Sequence, residues 1–225
     1  MKPVHTCRMH VNLNHEIENI ISGKIEVRHG TIIQTIANYL RNCKSSSRID
    51  QVSKQIKAEE ATHIERFVTS NALWVEVDLS TYVAEGAEQK VYLEPPNFVL
   101  KANDAIYYNS WFEYLLNLLL HNYFFADTAY ELQGFLKHKQ ILYAVVKQNF
   151  VQSSEPTELD NVRTFLEHNG FKKIKNNDYL HIDLQILLED LHDENVLTQQ
   201  GLLYFIDTVF YTSLDEGAKS KIIQI

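Results

Sequence analysis

The chain has 225 residues, 45% of them hydrophobic, and a net charge of −8, enough apolar material for a full core, which excludes the fibrous and disordered classes. No apolar run reaches transmembrane length and no charged-then-apolar leader is present, so a soluble, cytoplasmic protein without a membrane partner is expected. The charge is uneven. Residues 1–70 hold ten Lys or Arg against seven Asp or Glu, whereas residues 71–225 hold eleven against twenty-two, which argues against nucleic acid as a partner of the larger part. The two cysteines, Cys7 and Cys43, fit no metal-ligand spacing and are expected to stay reduced.

Residues 1–28 are polar and weakly patterned. His5, Cys7, His10 and His15 lie close together in sequence but match no established zinc spacing, so a terminal arm is expected rather than a metal site. From Thr31 to Leu40 the apolar residues Ile32, Ile33, Ile36, Ala37 and Leu40 recur at helical spacing. Ser45-Ser46-Ser47 breaks that pattern and caps a second predicted helix, Arg48 to about Asn71, with an intermittent apolar face of Ile49, Val52, Ile56 and Phe67. The first 71 residues thus read as a helical appendage.

Strand patterns follow. Leu73 to Val77, Lys90 to Leu93 and Phe98 to Lys101 are three predicted strands, the last two joined by Glu94-Pro95-Pro96-Asn97, which cannot continue a ladder. Thr128–Leu136 and Gln140–Val146, around Lys137-His138-Lys139, complete a predicted five-stranded layer. Before the second strand, Gly86 is a lone glycine that lets backbone approach a phosphate or simply marks a turn. Between the strands, Tyr107 to Phe125 reads as a dense apolar helix whose only acid is Glu113, close to the apolar face. A carboxylate there needs a partner; Lys101, ending an apolar strand, is the candidate, and an exposed Lys with a solvated Glu is the alternative. His121, at the end of that helix, reads as a core or capping histidine favoured by the helix dipole.

Beyond residue 150 a helix is predicted over Glu158–His168, closed by Asn169-Gly170. An apolar strand, Leu184–Leu188, then runs into Asp190-Leu191-His192-Asp193-Glu194-Asn195. A hairpin turning at Gln199-Gln200-Gly201 returns Asp207 from a second apolar strand, Leu203–Ile206. Three hard oxygen donors gathered in this way suit a magnesium-nucleotide site, because Mg²⁺ takes one or two carboxylates and completes its octahedron with phosphate and water. A polar turn followed by a strand-end Asp, with no chemistry, is the other reading.

Asp190-Leu191-His192-Asp193-Glu194-Asn195 resembles the Asp-x-His-x-x-Asn catalytic loop of aminoglycoside-phosphotransferase-like kinases, and Ile206-Asp207 resembles their metal-binding Asp. The run from about Trp74 to Tyr211 is similar to the kinase domain of polyvalent proteins from phages and conjugative elements. The resemblance is carried by Glu88-Gln89-Lys90-Val91-Tyr92-Leu93, Trp111-Phe112-Glu113, Leu120-His121-Asn122, Gly134-Phe135, Gln148-Asn149-Phe150-Val151 and Leu188 to Asn195. It implies an α+β, protein-kinase-like bilobal fold: a five-stranded antiparallel small lobe over about residues 72–150, a reduced C-terminal lobe over about 151–225, and the N-terminal helical appendage over 1–71. It implies an ATP- and Mg²⁺-dependent phosphotransferase acting on a protein hydroxyl. Asp190 would face the acceptor, Asn195 and Asp207 would hold the metal, and Gly86, Lys101, Glu113, Gln148 and Phe150 would border the nucleotide, with Lys101 and Glu113 paired. The chain departs from the kinase pattern at Leu188-Glu189, where His-Arg or His-Gly would precede the Asp, and at Thr208-Val209, where Phe-Gly would follow Asp207. A catalytically silent nucleotide-binding or interaction module and a small-molecule kinase are the alternative readings.

Overall fold

The computed structural model describes residues 13–43, 53–85 and 89–212. His5, Cys7, His10, Gly86, the serine cap at 45–47 and the expected helix start at Arg48 lie outside them, while His15 stands in the first helix. Three helices come first: α1 (Leu13–Ser22), α2 (Gly30–Cys43) and α3 (Ser53–Ser70). In α2 the predicted stripe buries Ile33, Ile36, Ala37 and Leu40, but Ile32 is 40% exposed, because a position beside Ile33 falls about 100° round the helix.

The sheet comprises β1 (Tyr82–Glu85), β2 (Gln89–Glu94) and β3 (Phe98–Asn103), then, after α4 (Trp111–Phe124), β4 (Glu131–His138) and β5 (Ile141–Asn149). Its order is β1-β2-β3-β5-β4, with every neighbouring pair antiparallel. The strand expected over residues 73–77 is not its first strand. Trp74 makes a single parallel bridge to Phe135, through Val75 N–H to Phe135 O and Phe135 N–H to Leu73 O at 2.9 Å each, and the first strand begins at Tyr82. That bridge explains Gly134: at φ +152° in a bulge of β4, a Cβ there would stand 2.2 Å from the Leu73 carbonyl oxygen.

After residue 150 short strands outnumber helices among the described residues. It runs through α5 (Leu159–His168), β6 (Phe171–Lys173), β7 (Tyr179–His181), β8 (Ile186–Glu189), the hairpin β9 (Val196–Gln199) and β10 (Leu202–Phe205), and β11 (Val209–Thr212). Strands β11-β8-β7-β6 form a second antiparallel sheet. The β9–β10 turn has Gln200 and Gly201 at φ 52° and 78°, the left-handed pair a two-residue hairpin demands.

Helix α4 is the centre of the molecule. Buried from Trp111 to Asn122 except at Glu113, it is mostly apolar and is covered by α1, α2 and α3, by the five-stranded sheet and by β11, so that one hydrophobic core joins Ile17, Ile36 and Ile64 to Phe135, Leu188 and Phe210. Phe125 stacks on Phe205 at 4.0 Å and Phe124 on Phe210 at 5.6 Å, which pins the end of α4 to the strands either side of Asp207.

Candidate functional site

One wall of the site comes from β3. Lys101 pairs across the sheet with Val91 and Val146, and its side chain is only 5% exposed. A buried ammonium must find an acceptor. Nζ donates to the Ile206 carbonyl oxygen at 2.8 Å and lies 5.4 Å from the centre of the Tyr130 ring, whose hydroxyl donates to the same carbonyl at 2.9 Å. Burial lowers the pKa of Lys101, with the negative charge of Asp207 opposing that shift, and burial likewise holds the Tyr130 phenol well above its usual value.

The other wall begins where the buried strand β8 runs out. Asp190 stands at φ 66°, a left-handed position that a short polar side chain tolerates. A tight loop follows, in which His192 N–H donates to Asp190 O at 3.1 Å and Asn195 N–H to His192 O at 3.0 Å. Asn195 Nδ2 donates to Asp190 O at 2.9 Å and to Asp190 Oδ2 at 3.1 Å, so the acid and the amide are locked together. His192 Nε2 lies 3.4 Å from Asp190 Oδ1. The Asn195 carbonyl in turn accepts Ile206 N–H at 2.9 Å and Asp207 N–H at 3.4 Å, which fixes Asp207 beside it.

Behind this loop, His121 bridges Thr208 Oγ1 at 2.7 Å and Thr128 O at 3.0 Å. Burial lowers its pKa to about 3, so it is a neutral core histidine; burial outweighs the helix-dipole preference for a cation. Asn117 Oδ1 accepts Phe210 N–H at 2.8 Å, so two polar groups of α4 hold the strand that follows Asp207.

Between the walls lies a cleft of about 600 Å³, lined among others by Lys101, Gln148, Phe150, Asp190, Asn195 and Asp207. Six sequence-predicted residues, drawn from four separate stretches, thus meet. Gln148 is buried and donates to Thr128 O at 2.7 Å, and Phe150 is half exposed with its N–H on Asn97 O at 2.8 Å, so the next residue, Val151, brings the available backbone to the cleft.

Glu113 does not join them. The helix starts at Trp111 rather than Tyr107, which puts Glu113 in its first turn. There Ser110 Oγ accepts Glu113 N–H at 3.1 Å, the first half of a capping box, while Glu113 Oε2 reaches one residue past the N-cap to accept Asn109 N–H at 3.0 Å and Asn109 Nδ2 at 3.1 Å. The expected Lys101–Glu113 pair is therefore absent: Lys101 binds a carbonyl, and Glu113 is one of the charges opposing the burial shift of Lys57 on α3.

One site residue stands in a stretch that carries the family resemblance but had no role assigned from the sequence. Gln89 Nε2 donates to Asp207 Oδ2 at 2.6 Å across the cleft. Its position at the edge of a strand pattern carries no signal of that contact.

Among the described residues no group of three or more His, Cys, Asp or Glu is placed to hold a metal ion. The donor chemistry at the cleft fits Mg²⁺ nonetheless. Asp207 offers a carboxylate and Asn195 an amide oxygen, adjacent through their backbone bond, and two protein oxygens completed by phosphate and water are the usual Mg²⁺ set.

Residues 57–214, more than half of the chain, match the family model of the serine/threonine/tyrosine kinase found in polyvalent proteins. The chain belongs to this family. It matches no curated protein and no solved structure. As a member of this family it carries the Asp190-to-Asn195 loop and Asp207 inside the matched segment, with Lys101 on the same cleft. Among its described residues no helix is long and apolar enough to cross a membrane.

Proposed function

We propose that this protein is an ATP- and Mg²⁺-dependent phosphotransferase acting on a protein hydroxyl. In this reading the five-stranded sheet is one lobe and residues 151–212 form a short second lobe. The observation that carries it is the convergence of Lys101, Asp190, Asn195 and Asp207 on one cleft of about 600 Å³, a volume suited to a nucleotide.

The chemistry assigned to these side chains is mainly positioning and charge stabilisation, as phosphoryl transfer requires. Lys101, fixed beside Asp207 by the Ile206 carbonyl, offers its ammonium to phosphate oxygens. Asn195 and Asp207 would hold Mg²⁺, which neutralises charge on the triphosphate. Asp190, exposed at the mouth of the cleft and steadied by Asn195, orients the acceptor hydroxyl and takes its proton as the new O–P bond forms and the bond to the ADP oxygen breaks. Gln89 holds one oxygen of the Asp207 carboxylate and so limits its rotation.

One observation favours a second reading, a nucleotide-binding module without turnover: Glu113 stands apart from Lys101, engaged with its own helix cap. Incubation with labelled ATP and Mg²⁺ separates the two. Label on the protein itself or on an added protein, lost in Asp190→Asn, supports the phosphotransferase. Mg-ATP binding with no transfer by the wild-type protein overturns it in favour of the silent module.

A further inference from the structure

Lys101 is held without the acid that the sequence suggested for it: its ammonium meets the Ile206 carbonyl, and Glu113 is engaged at its own helix cap. One carbonyl alone leaves an ammonium free to swing about the oxygen. The Tyr130 hydroxyl limits that freedom. It donates to the same Ile206 oxygen at 2.9 Å and so takes up the second lone pair, while the centre of its ring lies 5.4 Å from Lys101 Nζ. The N–H of the same peptide unit, that of Asp207, donates to Asn195 O at 3.4 Å, so the unit is tied on both sides.

Tyr130 can serve as a fixed point because it is itself clamped. It is 3% exposed and stands just before β4. Asn122 of α4 accepts its N–H at 2.7 Å through Oδ1 and donates Nδ2 to its carbonyl at 2.8 Å, and the ring packs on His121 with centres 4.4 Å apart. Burial first, and the charge of Asp207 next, hold the phenol well above its usual pKa, so the hydroxyl keeps the proton it donates. Helix α4 thus reaches Lys101 through its last turn, by way of Tyr130, and not through Glu113 in its first. A phenol and a carbonyl are both neutral. They fix the ammonium without cancelling its charge, which stays available for phosphate oxygens.

Resting on the phosphotransferase reading, which gives Lys101 to the nucleotide phosphates, we infer that Tyr130 is the positioning residue for Lys101 and sets the direction of its ammonium through the Ile206 carbonyl.

The test is a double-mutant cycle on binding of a non-hydrolysable ATP analogue with Mg²⁺ to the full chain, read by calorimetry. Tyr130→Phe keeps the ring and removes only the hydroxyl. In the wild-type background it is expected to weaken binding about fivefold, the scale of one hydrogen bond. In the Lys101→Met background, with no ammonium left to direct, the loss is expected to stay within about twofold. Glu113→Ala is expected to act equally in both backgrounds. A second measurement needs no nucleotide: labelling by an amine-reactive reagent, read by mass spectrometry, is expected to rise at Lys101 in Tyr130→Phe and to stay unchanged at Lys57, a partly buried lysine of α3. A fold loosened as a whole would raise both. Equal loss of affinity in the two backgrounds, no loss in either, or an equal rise at the two lysines overturns the inference and leaves the phosphotransferase reading standing. Transfer from labelled ATP is followed in parallel. Coupling of Tyr130 to Lys101 with no transfer by the wild-type protein counts against the phosphotransferase reading, and the positioning role still stands.

Discussion

The two walls of the cleft are built by opposite means. Lys101 sits in the middle of a five-stranded ladder, 5% exposed, held by a main-chain carbonyl from across the cleft. Asp190 is exposed, on a loop with left-handed backbone, and is steadied by a side-chain amide five residues away. A buried group fixed by a sheet has one position and loses solvation to keep it; an exposed group on a short hydrogen-bonded loop stays hydrated and can meet a partner. The first suits a group that grips a bound nucleotide, the second a group that must receive an incoming substrate.

The largest expected effect tests the exposed wall. Asp190→Asn should lower phosphoryl transfer by roughly 10²-fold or more, the scale of a lost positioned base, and leave ATP affinity within a few-fold. Asn also tolerates the left-handed backbone, so the unfolding midpoint should not move. Retention of full transfer in steady-state assays would move the role to neighbouring Asp193.

Lys101→Met tests the buried wall. Loss of a charge-assisted contact to phosphate should weaken Mg-ATP binding about tenfold, whereas stability should hold or rise, since a buried charge is replaced by an apolar side chain of similar volume. In a double-mutant cycle on transfer, Lys101→Met and Glu113→Ala should be additive within about 0.5 kcal/mol, because the two side chains do not meet. A coupling well above that would show that α4 shifts during turnover to bring them together. Asp207→Asn should have a smaller, more selective effect: the gain in ATP affinity on adding Mg²⁺, measured by calorimetry, should shrink by a few-fold. An unchanged gain would remove Asp207 from the metal.

The smallest effect belongs to the scaffold common to both walls. His121 is neutral in the fold with a pKa near 3 against about 6.5 when unfolded. Below 6.5 the unfolded chain takes up the proton and the folded one does not, so stability is fully present above that pH and declines as pH falls toward 3, by up to about 1.4 kcal/mol per unit. His121→Gln should flatten this slope in urea unfolding at pH 7.5, 6 and 5; an unaltered slope would mean other groups carry it.

Much of this was legible in the sequence where local pattern and chemistry agreed. Leu188 to Asn195 reads as an apolar strand breaking into polar donors, and Gln200-Gly201 reads as a turn; both hold in the structure because each depends on residues adjacent in the chain. Glu113 shows the limit. Its place near apolar residues suggested a distant lysine, yet the Ser110-to-Glu113 spacing carried the capping signature, and the local bond prevailed. The segment 73–77 has a strand pattern but finds only one bridge, since β4 receives it at Phe135 and nowhere else. The Gln89–Asp207 contact spans most of the domain and depends on how the sheet meets the β9–β10 hairpin, which no window of sequence records.

Helix α4 has a last consequence, for the ancestry of the domain. The segment shared with the kinase family begins at residue 57, within α3, yet α1 and α2 cover one flank of α4, with Asn122 Nδ2 bonded to Arg28 O and the Tyr123 hydroxyl to Glu16. A relative carrying the family segment alone would expose that flank to water. It must therefore either bear polar side chains on the flank of α4 that carries Asn122 and Tyr123 in this chain, or borrow a cover from whatever is fused beside it. The α4 sequence of any relative should thus disclose the kind of neighbour with which its kinase domain has travelled.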